Sequence, residues 1–178
     1  DYDIQMVVVP YSDMPGWLLA LESHSAWRCV YLDDCTAIYL RPDYAPHIPE
    51  LSPPRKGVDY PDYAPAEVDQ ILDAALHRRD PGFFASLRGR HVAPLGAVRL
   101  AAAYRAMGYP DAAAAVALDG LRNATLEMPN LVLNLANAWW DAGDYERARR
   151  CYRAFLESRT WPNPPDNVVR LARERTGS

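Results

Sequence analysis

The chain has 178 residues, of which 49% are hydrophobic and 24% are charged. These fractions are typical of a globular protein and exclude wholesale disorder. The formal net charge of -4 argues against a nucleic-acid-binding protein. No apolar run reaches the roughly 18 residues that span a bilayer, so no transmembrane segment is predicted. The chain begins at Asp1 and not at Met, which predicts a domain of a longer protein.

Residues 1–41 predict a small β-α-β-β unit. The β-branched run 4–9 stops at Pro10, as a buried strand does. The helix that follows is expected to carry Trp17, Leu18, Leu21 and His24 on one face. Strands 27–32 and 35–41 form a hairpin with Asp33-Asp34 at its tip. The hairpin face expected to pack on the helix carries Trp27, Cys29, Tyr31, Thr36, Ile38 and Leu40.

Three cysteines are too few for a disulfide scaffold. A two-residue tip places Cys35 opposite Leu32 and Cys29 opposite Ile38, so the two cysteines point to opposite faces and no bridge is expected. The four histidines are scattered and there is no C-x-x-C pair. The sequence therefore predicts no metal site and no cofactor.

Residues 42–65 hold seven prolines and cannot form a helix or an inner strand. Tyr44, Tyr60 and Tyr63 favour a strap that is docked on the surface. A free linker is the alternative.

From residue 66 the apolar spacing becomes helical. A first helix carries the stripe Val68, Ile71, Leu72, Ala75 and Leu76. Phe83, Phe84 and Leu87 follow in a short helix or turn, and a long Ala-rich helix ends near Gly108. A later helix is basic, with Arg147, Arg149, Arg150, Arg153 and Arg159. Its arginines are expected to form a solvated outer face, with an acidic partner or lipid headgroups as the alternative.

A repeat of 35 residues runs through the C-terminal half. Leu100, Ala101, Tyr104, Gly108, Ala113 and Leu121 recur as Leu135, Ala136, Trp139, Gly143, Ala148 and Leu156. Gly143 permits the left-handed conformation that ends a helix, and Asp144 can cap the next one. The spacing predicts two helical hairpins.

This pattern resembles the tetratricopeptide repeat (TPR), against the alternative of an ordinary helical bundle. The predicted fold class is α+β, a small β-α-β-β unit followed by a TPR-like helical array. The predicted domains are 1–41, the strap 42–65, and the helical domain 66–178. Its repeats lie near 94–128 and 129–163, and a polar capping helix near 165–175. The helix that starts at 66 is expected to be half of a degenerate repeat.

No catalytic constellation is recognised, so the chain is predicted not to be an enzyme. The candidate partner-binding groove is lined by Asn130, Asn134, Asn137, Trp140 and Asp141, at helical spacing. Asparagine amides can bond both donors and acceptors of an extended peptide backbone. The basic residues of the TPR carboxylate-binding clamp are not matched, because Val98 and Ala102 stand in their place.

Residues 27–41, with the strand and helix before them, resemble the soluble tail of bacterial multi-pass membrane glycosyltransferases of the dolichyl-phosphate-mannose–protein mannosyltransferase kind. The resemblance implies an extracytoplasmic (periplasmic) domain whose partner is a protein, a peptide or the membrane domain of the same polypeptide. One alternative is a sugar- or acceptor-binding domain that uses Tyr44, Tyr60, Tyr63 and Trp161. A cytosolic TPR scaffold is the other.

Overall fold

A computed structural model describes residues 3–11, 15–52, 54–76, 94–158 and 164–177. The elements are β1 (Met6–Val9), α1 (Pro15–Glu22), β2 (Arg28–Leu32), β3 (Ala37–Leu40), α2 (Pro65–Leu76), α3 (Leu95–Ala106), α4 (Pro110–Asn123), α5 (Pro129–Asp141), α6 (Tyr145–Glu157) and α7 (Asp166–Thr176). The fold is α+β, a small antiparallel sheet followed by a helical array, as the sequence predicts. No described helix is long and apolar enough to cross a membrane.

The three strands form one antiparallel sheet in the order β1-β3-β2. β3 is central, with Ala37 opposite Val9 and Tyr39 opposite Val7. Helix α1 covers one side of this sheet through Leu18, which is 2% exposed and belongs to the same hydrophobic cluster. The β-α-β-β unit therefore supplies most of the buried residues of one hydrophobic core.

The hairpin register differs from the predicted one. Leu32 pairs with Ala37, and Cys29 pairs with Tyr39 and not with Ile38. The register also shifts directly after Cys29, where a bulge interrupts β2. An extra residue in one strand moves the following side chains to the other face.

The turn explains the difference in register. The Asp33 carboxylate accepts hydrogen bonds from the backbone N–H of Cys35 at 2.9 Å and of Thr36 at 2.7 Å. The N–H of Asp33 also donates to the carbonyl of Thr36 at 3.0 Å. These bonds close a turn over residues 33–36, which is wider than the predicted two-residue tip.

The predicted faces are corrected accordingly. Ala37 and Tyr39 lie in the core with Cys29, whereas Tyr31 is 46% exposed on the outer face of the sheet. On α1, Leu18 and Leu21 are buried as expected, but Trp17 is 55% exposed. The helical spacing therefore identified the buried side of α1 correctly, but fewer residues are buried on that side than predicted.

The helices α3 to α6 form two antiparallel hairpins that close with the same turn. Gly108 and Gly143 both adopt left-handed backbone angles, with φ of 83° and 86°. The N–H of Gly143 donates to Trp140 at 3.1 Å, and that of Asp144 to Trp139 at 2.9 Å. These two bonds define a Schellman motif. The first hairpin repeats both bonds 35 residues earlier, from Gly108 to Arg105 and from Tyr109 to Tyr104.

Helix α2 packs on α4, the second helix of the first hairpin, and is joined by ion pairs to α4 and to α6. It buries Leu72 completely against the core that α4, α5 and α6 share. Glu67 pairs with Arg122 of α4 at 3.5 Å, and Asp69 pairs with Arg150 of α6 at 3.3 Å. The expectation that this helix is half of a degenerate repeat stays a prediction, because residues 77–93 lie outside the described residues.

The N-terminal unit packs on α3. Ala103 of α3 belongs to the hydrophobic core of the sheet, while Ala101 belongs to the core of the helices. At the other end of the array, α7 packs on α6. The two hairpins are therefore flanked on both sides, as helical arrays require.

The proline-rich segment is docked at several points. The guanidinium of Arg28 donates to the carbonyls of Tyr44 and Ala45, both at 2.9 Å. The hydroxyl of Tyr63 donates to Asp119 of α4 at 3.0 Å. The division of the chain into three domains stays a prediction, since the strap contacts both the sheet and the helices.

Candidate partner-binding face

All five residues predicted to line a groove lie on α5, and they differ in exposure. Asn130 and Asp141 are exposed, Asn134 and Trp140 are partly buried, and Asn137 is only 9% exposed. The helical spacing of four, three and four residues places the three asparagines and the aspartate along one side of the helix. The side chains that are partly or fully buried meet neighbouring helices.

Two of these residues tie α5 to α3. The amide nitrogen of Asn134 donates to the carbonyl of Val98 at 2.8 Å. Nε of Arg105 donates to Oδ2 of Asp141 at 2.6 Å. The second contact joins two charged groups that are about one-third exposed, and solvent weakens such a pair. Both contacts fix how the first helices of the two hairpins lie against each other.

Asn137 and Trp140 hold the capping helix. Oδ1 of Asn137 accepts hydrogen bonds from the Tyr152 hydroxyl at 2.7 Å and from Nη1 of Arg175 at 2.9 Å. The Arg175 guanidinium also donates to the Tyr152 oxygen and lies 4.7 Å from the centre of the Trp140 ring. Burial raises the pKa of Tyr152, although the nearby Arg175 opposes that effect. Three helices are thereby joined at one buried polar cluster.

The same 35-residue shift carries the three asparagines onto Leu95, Arg99 and Ala102 of α3. All three side chains are exposed, and that of Leu95 is 58% exposed. Arg99 makes no hydrogen bond or ion pair within the part of the chain that the structure describes. Sequence reasoning missed Leu95 and Arg99, although the repeat shift was the signal that identifies them.

The face defined by Leu95, Arg99, Ala102, Asn130 and Asn134 offers an apolar side chain, a guanidinium and two amides. We call it the α3–α5 face. A guanidinium is a strong donor to carboxylates and carbonyls, and an amide can both donate and accept. Neither helix contributes a cysteine, serine or histidine that would act as a nucleophile or general base.

The hairpin tip brings together possible metal ligands from Asp33, Asp34 and Cys35, whose atoms lie within 4.8 Å of one another. The Asp33 carboxylate is already engaged by the turn N–H groups and by the Tyr31 hydroxyl at 2.8 Å. These hydrogen bonds, the one from Cys35 foremost, lower the pKa of Asp33 to about 2. A turn-capping role explains this geometry.

The basic helix predicted from the sequence is α6. Arg147 forms an ion pair at 3.2 Å with Asp144, the residue just before α6. Arg150 forms an ion pair with α2. Arg149 and Arg153 are exposed, and no ion pair to either is found among the described residues. Part of the basic charge is therefore neutralised within the chain, while Arg159 lies outside the described residues.

The aromatic residues suggested for sugar binding are not equivalent. Tyr63 is 9% exposed and bonded to Asp119, whereas Tyr44 is 44% exposed. Trp161 lies outside the described residues, as do Phe83, Phe84 and Leu87. The structure therefore gives this alternative no assembled stacking surface among the residues it describes.

Comparison with protein-family models, with curated proteins and with solved structures finds no match for this chain. The resemblances to TPR proteins and to glycosyltransferase tails accordingly stay predictions.

Proposed function

We propose that this chain is a noncatalytic interaction domain that binds an extended polypeptide segment along the α3–α5 face. One observation carries the proposal. Two helical hairpins related by 35 residues close with the same hydrogen-bonded turn, and hydrogen bonds from Asn134 to Val98 and from Arg105 to Asp141 hold their first helices, α3 and α5, side by side. Repetition of this kind builds continuous surfaces that suit extended ligands.

The chemistry of the face fits such a ligand. The amide of Asn130 can bond the N–H and C=O groups of a peptide backbone. Arg99, which has no hydrogen-bond or ion-pair partner among the described residues, supplies a guanidinium for a carbonyl or a carboxylate. Leu95 adds an exposed apolar contact next to them. Hydrogen bonds to the peptide backbone supply affinity for any sequence, whereas Arg99 and Leu95 supply preference for particular side chains.

A peptide selection tests the proposal. Random peptides displayed on phage are selected on the wild-type protein, and the enriched peptides are then titrated against three variants. Ala102→Arg and Asn130→Arg fill the α3–α5 face from exposed positions. Arg149→Ala changes an exposed position of α6 and serves as the control. We expect the two face variants to lose about tenfold or more in affinity, which is about 1.4 kcal/mol.

The control variant should bind these peptides as the wild type does. The proposal fails if no peptide is enriched, or if the enriched peptides bind the face variants as well as they bind the control. Circular dichroism of each variant shows that the fold is kept, which is expected because both substituted side chains are exposed.

We also propose that the domain works on the extracytoplasmic side of a bacterial membrane, next to a membrane-embedded glycosyltransferase. The support is the resemblance of residues 27–41 to tails of that kind. Cys35 provides a native reporter, since it is the one partly exposed cysteine of the three. A membrane-impermeant maleimide should label it in intact cells that carry the full parent protein. Labelling only after lysis would place the domain in the cytoplasm.

A further inference from the structure

Exposed apolar side chains are concentrated in the N-terminal part of the molecule. Of the eleven large hydrophobic side chains that are exposed among the described residues, eight lie between residues 4 and 48. Scattered exposed apolar residues are normal on a monomer, but a concentration of them marks an interaction surface. The helical array contributes only two.

The edge strand β1 has backbone groups that find no partner among the described residues. In the sheet order β1-β3-β2, only one side of β1 is paired. The N–H of Arg41 donates to the carbonyl of Gln5 at 3.0 Å, and antiparallel bonding alternates along a strand. The odd-numbered residues therefore bond to β3. Met6 and Val8 direct their N–H and C=O groups away from β3, and no partner for these groups is found among the described residues.

This edge also lacks the features by which proteins protect a sheet edge. Residues 4–9 contain no charged residue and no proline, and the one bulge of the sheet lies in β2. Charges, prolines and bulges are the usual means of preventing strand addition. Ile4, Met6 and Val8 are each 52% exposed on the outer face. The edge therefore presents donors, acceptors and apolar side chains together.

We propose that β1 pairs antiparallel with β1 of a second copy of this chain, so that two sheets join into one of six strands. The arrangement of the edge is symmetric about Met6, with an apolar residue two positions away on each side. An isologous interface needs the same patch on both partners. In the register centred on Met6, Met6 faces Met6 of the second copy, and Ile4 faces Val8 of the second copy.

The uncharged edge permits this pairing, because two identical strands bring no like charges together. The two-fold axis is perpendicular to the joined sheet, so both α1 helices lie on the same side of it. Trp17 and Leu19, each 55% exposed on α1, then face the same side as those of the second copy.

Light scattering coupled to size exclusion measures the oligomeric state across the micromolar range. We expect the wild-type protein to form a dimer that dissociates on dilution. Val8→Pro removes an N–H that points away from β3, so it blocks strand addition and keeps the internal ladder. This variant should be monomeric and keep the far-UV circular dichroism spectrum of the wild type, and its thermal midpoint should match that of the wild type only at dilutions where the wild type is also monomeric.

A charge exchange at the two-fold axis tests the register. Met6→Lys places two like charges opposite each other, and it should raise the dimer dissociation constant about tenfold or more. Met6→Glu should do the same, and an equimolar mixture of the two variants should restore a dimer. Val58→Lys is the matched control, since Val58 is 68% exposed and lies outside the sheet.

The proposal is wrong if the wild type stays monomeric over this range, or if its dimer is unaffected by Val8→Pro and Met6→Lys. Failure of the mixed Met6 variants to pair would overturn the register and with it the symmetric interface. A monomer that accepts a strand of another protein at this edge would also overturn pairing between copies. None of these outcomes bears on the α3–α5 face, so the two proposals are tested separately.

Discussion

The three thiols of the chain occupy different surroundings. Cys29 and Cys151 are buried, and burial raises the pKa of Cys29 to about 11 and that of Cys151 to about 12. Cys35 is partly exposed next to the turn. Because the thiolate is the reactive form, we expect one thiol to react quickly with Ellman's reagent at neutral pH and two to react slowly. In guanidinium chloride all three should react together.

The variant Cys35→Ser is the control for that measurement. It should remove the fast phase and leave the slow one unchanged. A fast phase that survives in this variant would mean that one of the two buried cysteines is accessible in solution.

The carboxylate of Asp33 makes the hairpin turn sensitive to acid. Hydrogen bonds, chiefly from the turn backbone, lower the pKa of Asp33 to about 2 in the folded state, from its ordinary value of 3.8. A lowered pKa stabilises the folded state above the ordinary value, and this contribution is lost as pH falls through the folded one. Asp33→Asn keeps the shape of the side chain and removes the charge. Its thermal midpoint should lie below the wild-type midpoint at pH 7.

The difference between the two midpoints should shrink as pH falls from about 4 towards 2. Asp34→Asn is the control, because it removes one charge from the same turn without removing these hydrogen bonds. An unchanged difference at low pH would show that the charge of Asp33 does not stabilise the turn.

Asn137 shows what could be predicted of the candidate site from sequence and what could not. Helical spacing placed it on one face of α5 with the other asparagines, and this follows from the 3.6-residue period alone. The spacing could not reveal that Tyr152 and Arg175, which lie 15 and 38 residues later, share its oxygen. Such contacts depend on how three helices pack, and no local pattern encodes that.

Close approach of helices is greatest at Gly120 of α4. A Cβ atom at this position would lie 2.6 Å from Cβ of Ala97 and 2.8 Å from a methyl group of Leu131. Both distances are shorter than any van der Waals contact. Gly120→Ala should therefore lower the free energy of unfolding by about 1 to 3 kcal/mol, which chemical denaturation measures.

Gly16→Ala provides the matched control on α1. Nothing lies within 4 Å of a Cβ atom at this position, and alanine favours a helix over glycine by about 0.5 to 1 kcal/mol. The control should be neutral or stabilising. Equal losses in the two variants would contradict the close packing of α4 between its neighbours.

At the scale of elements, the helical hairpins followed from sequence more directly than the strand hairpin did. Gly108 and Gly143 fix their turns through a conformation that other residues disfavour, so the sequence specifies these turns locally. The register of β2 and β3 depends on hydrogen bonds that Asp33 makes and on a bulge after Cys29. Alternation of apolar residues does not reveal an inserted residue, and this is why the predicted buried face was right for Trp27 and Cys29 but wrong for Tyr31 and for β3.

At the scale of the whole molecule, the described residues form two hydrophobic cores that meet on one helix. Ala101 belongs to the helical core and Ala103 to the core of the sheet, so α3 is shared. We expect the described structure to unfold in a single transition, with coincident midpoints by circular dichroism and by tryptophan fluorescence. Leu18→Ala empties a buried site in the sheet core and should lower the free energy of unfolding by about 2 to 5 kcal/mol.

The exposed neighbour Trp17 supplies the control for that prediction. Trp17→Ala changes the same helix at a side chain that is 55% exposed, so a smaller loss is expected. If Leu18→Ala split the unfolding curve into two steps, the N-terminal unit would be independent of the helical array.

The N-terminal unit and α7 flank the two hairpins, and this limits the length of ligand that the α3–α5 face can contact. Neighbouring packed helices lie about 8 to 10 Å apart, so a face of two helices and its borders spans roughly 20 Å. An extended chain covers that reach with about six residues. A recognition element this short gives modest affinity by itself. A dimer joined through β1 would carry two such faces, and a ligand with two copies of the element would gain from the high effective concentration of the second.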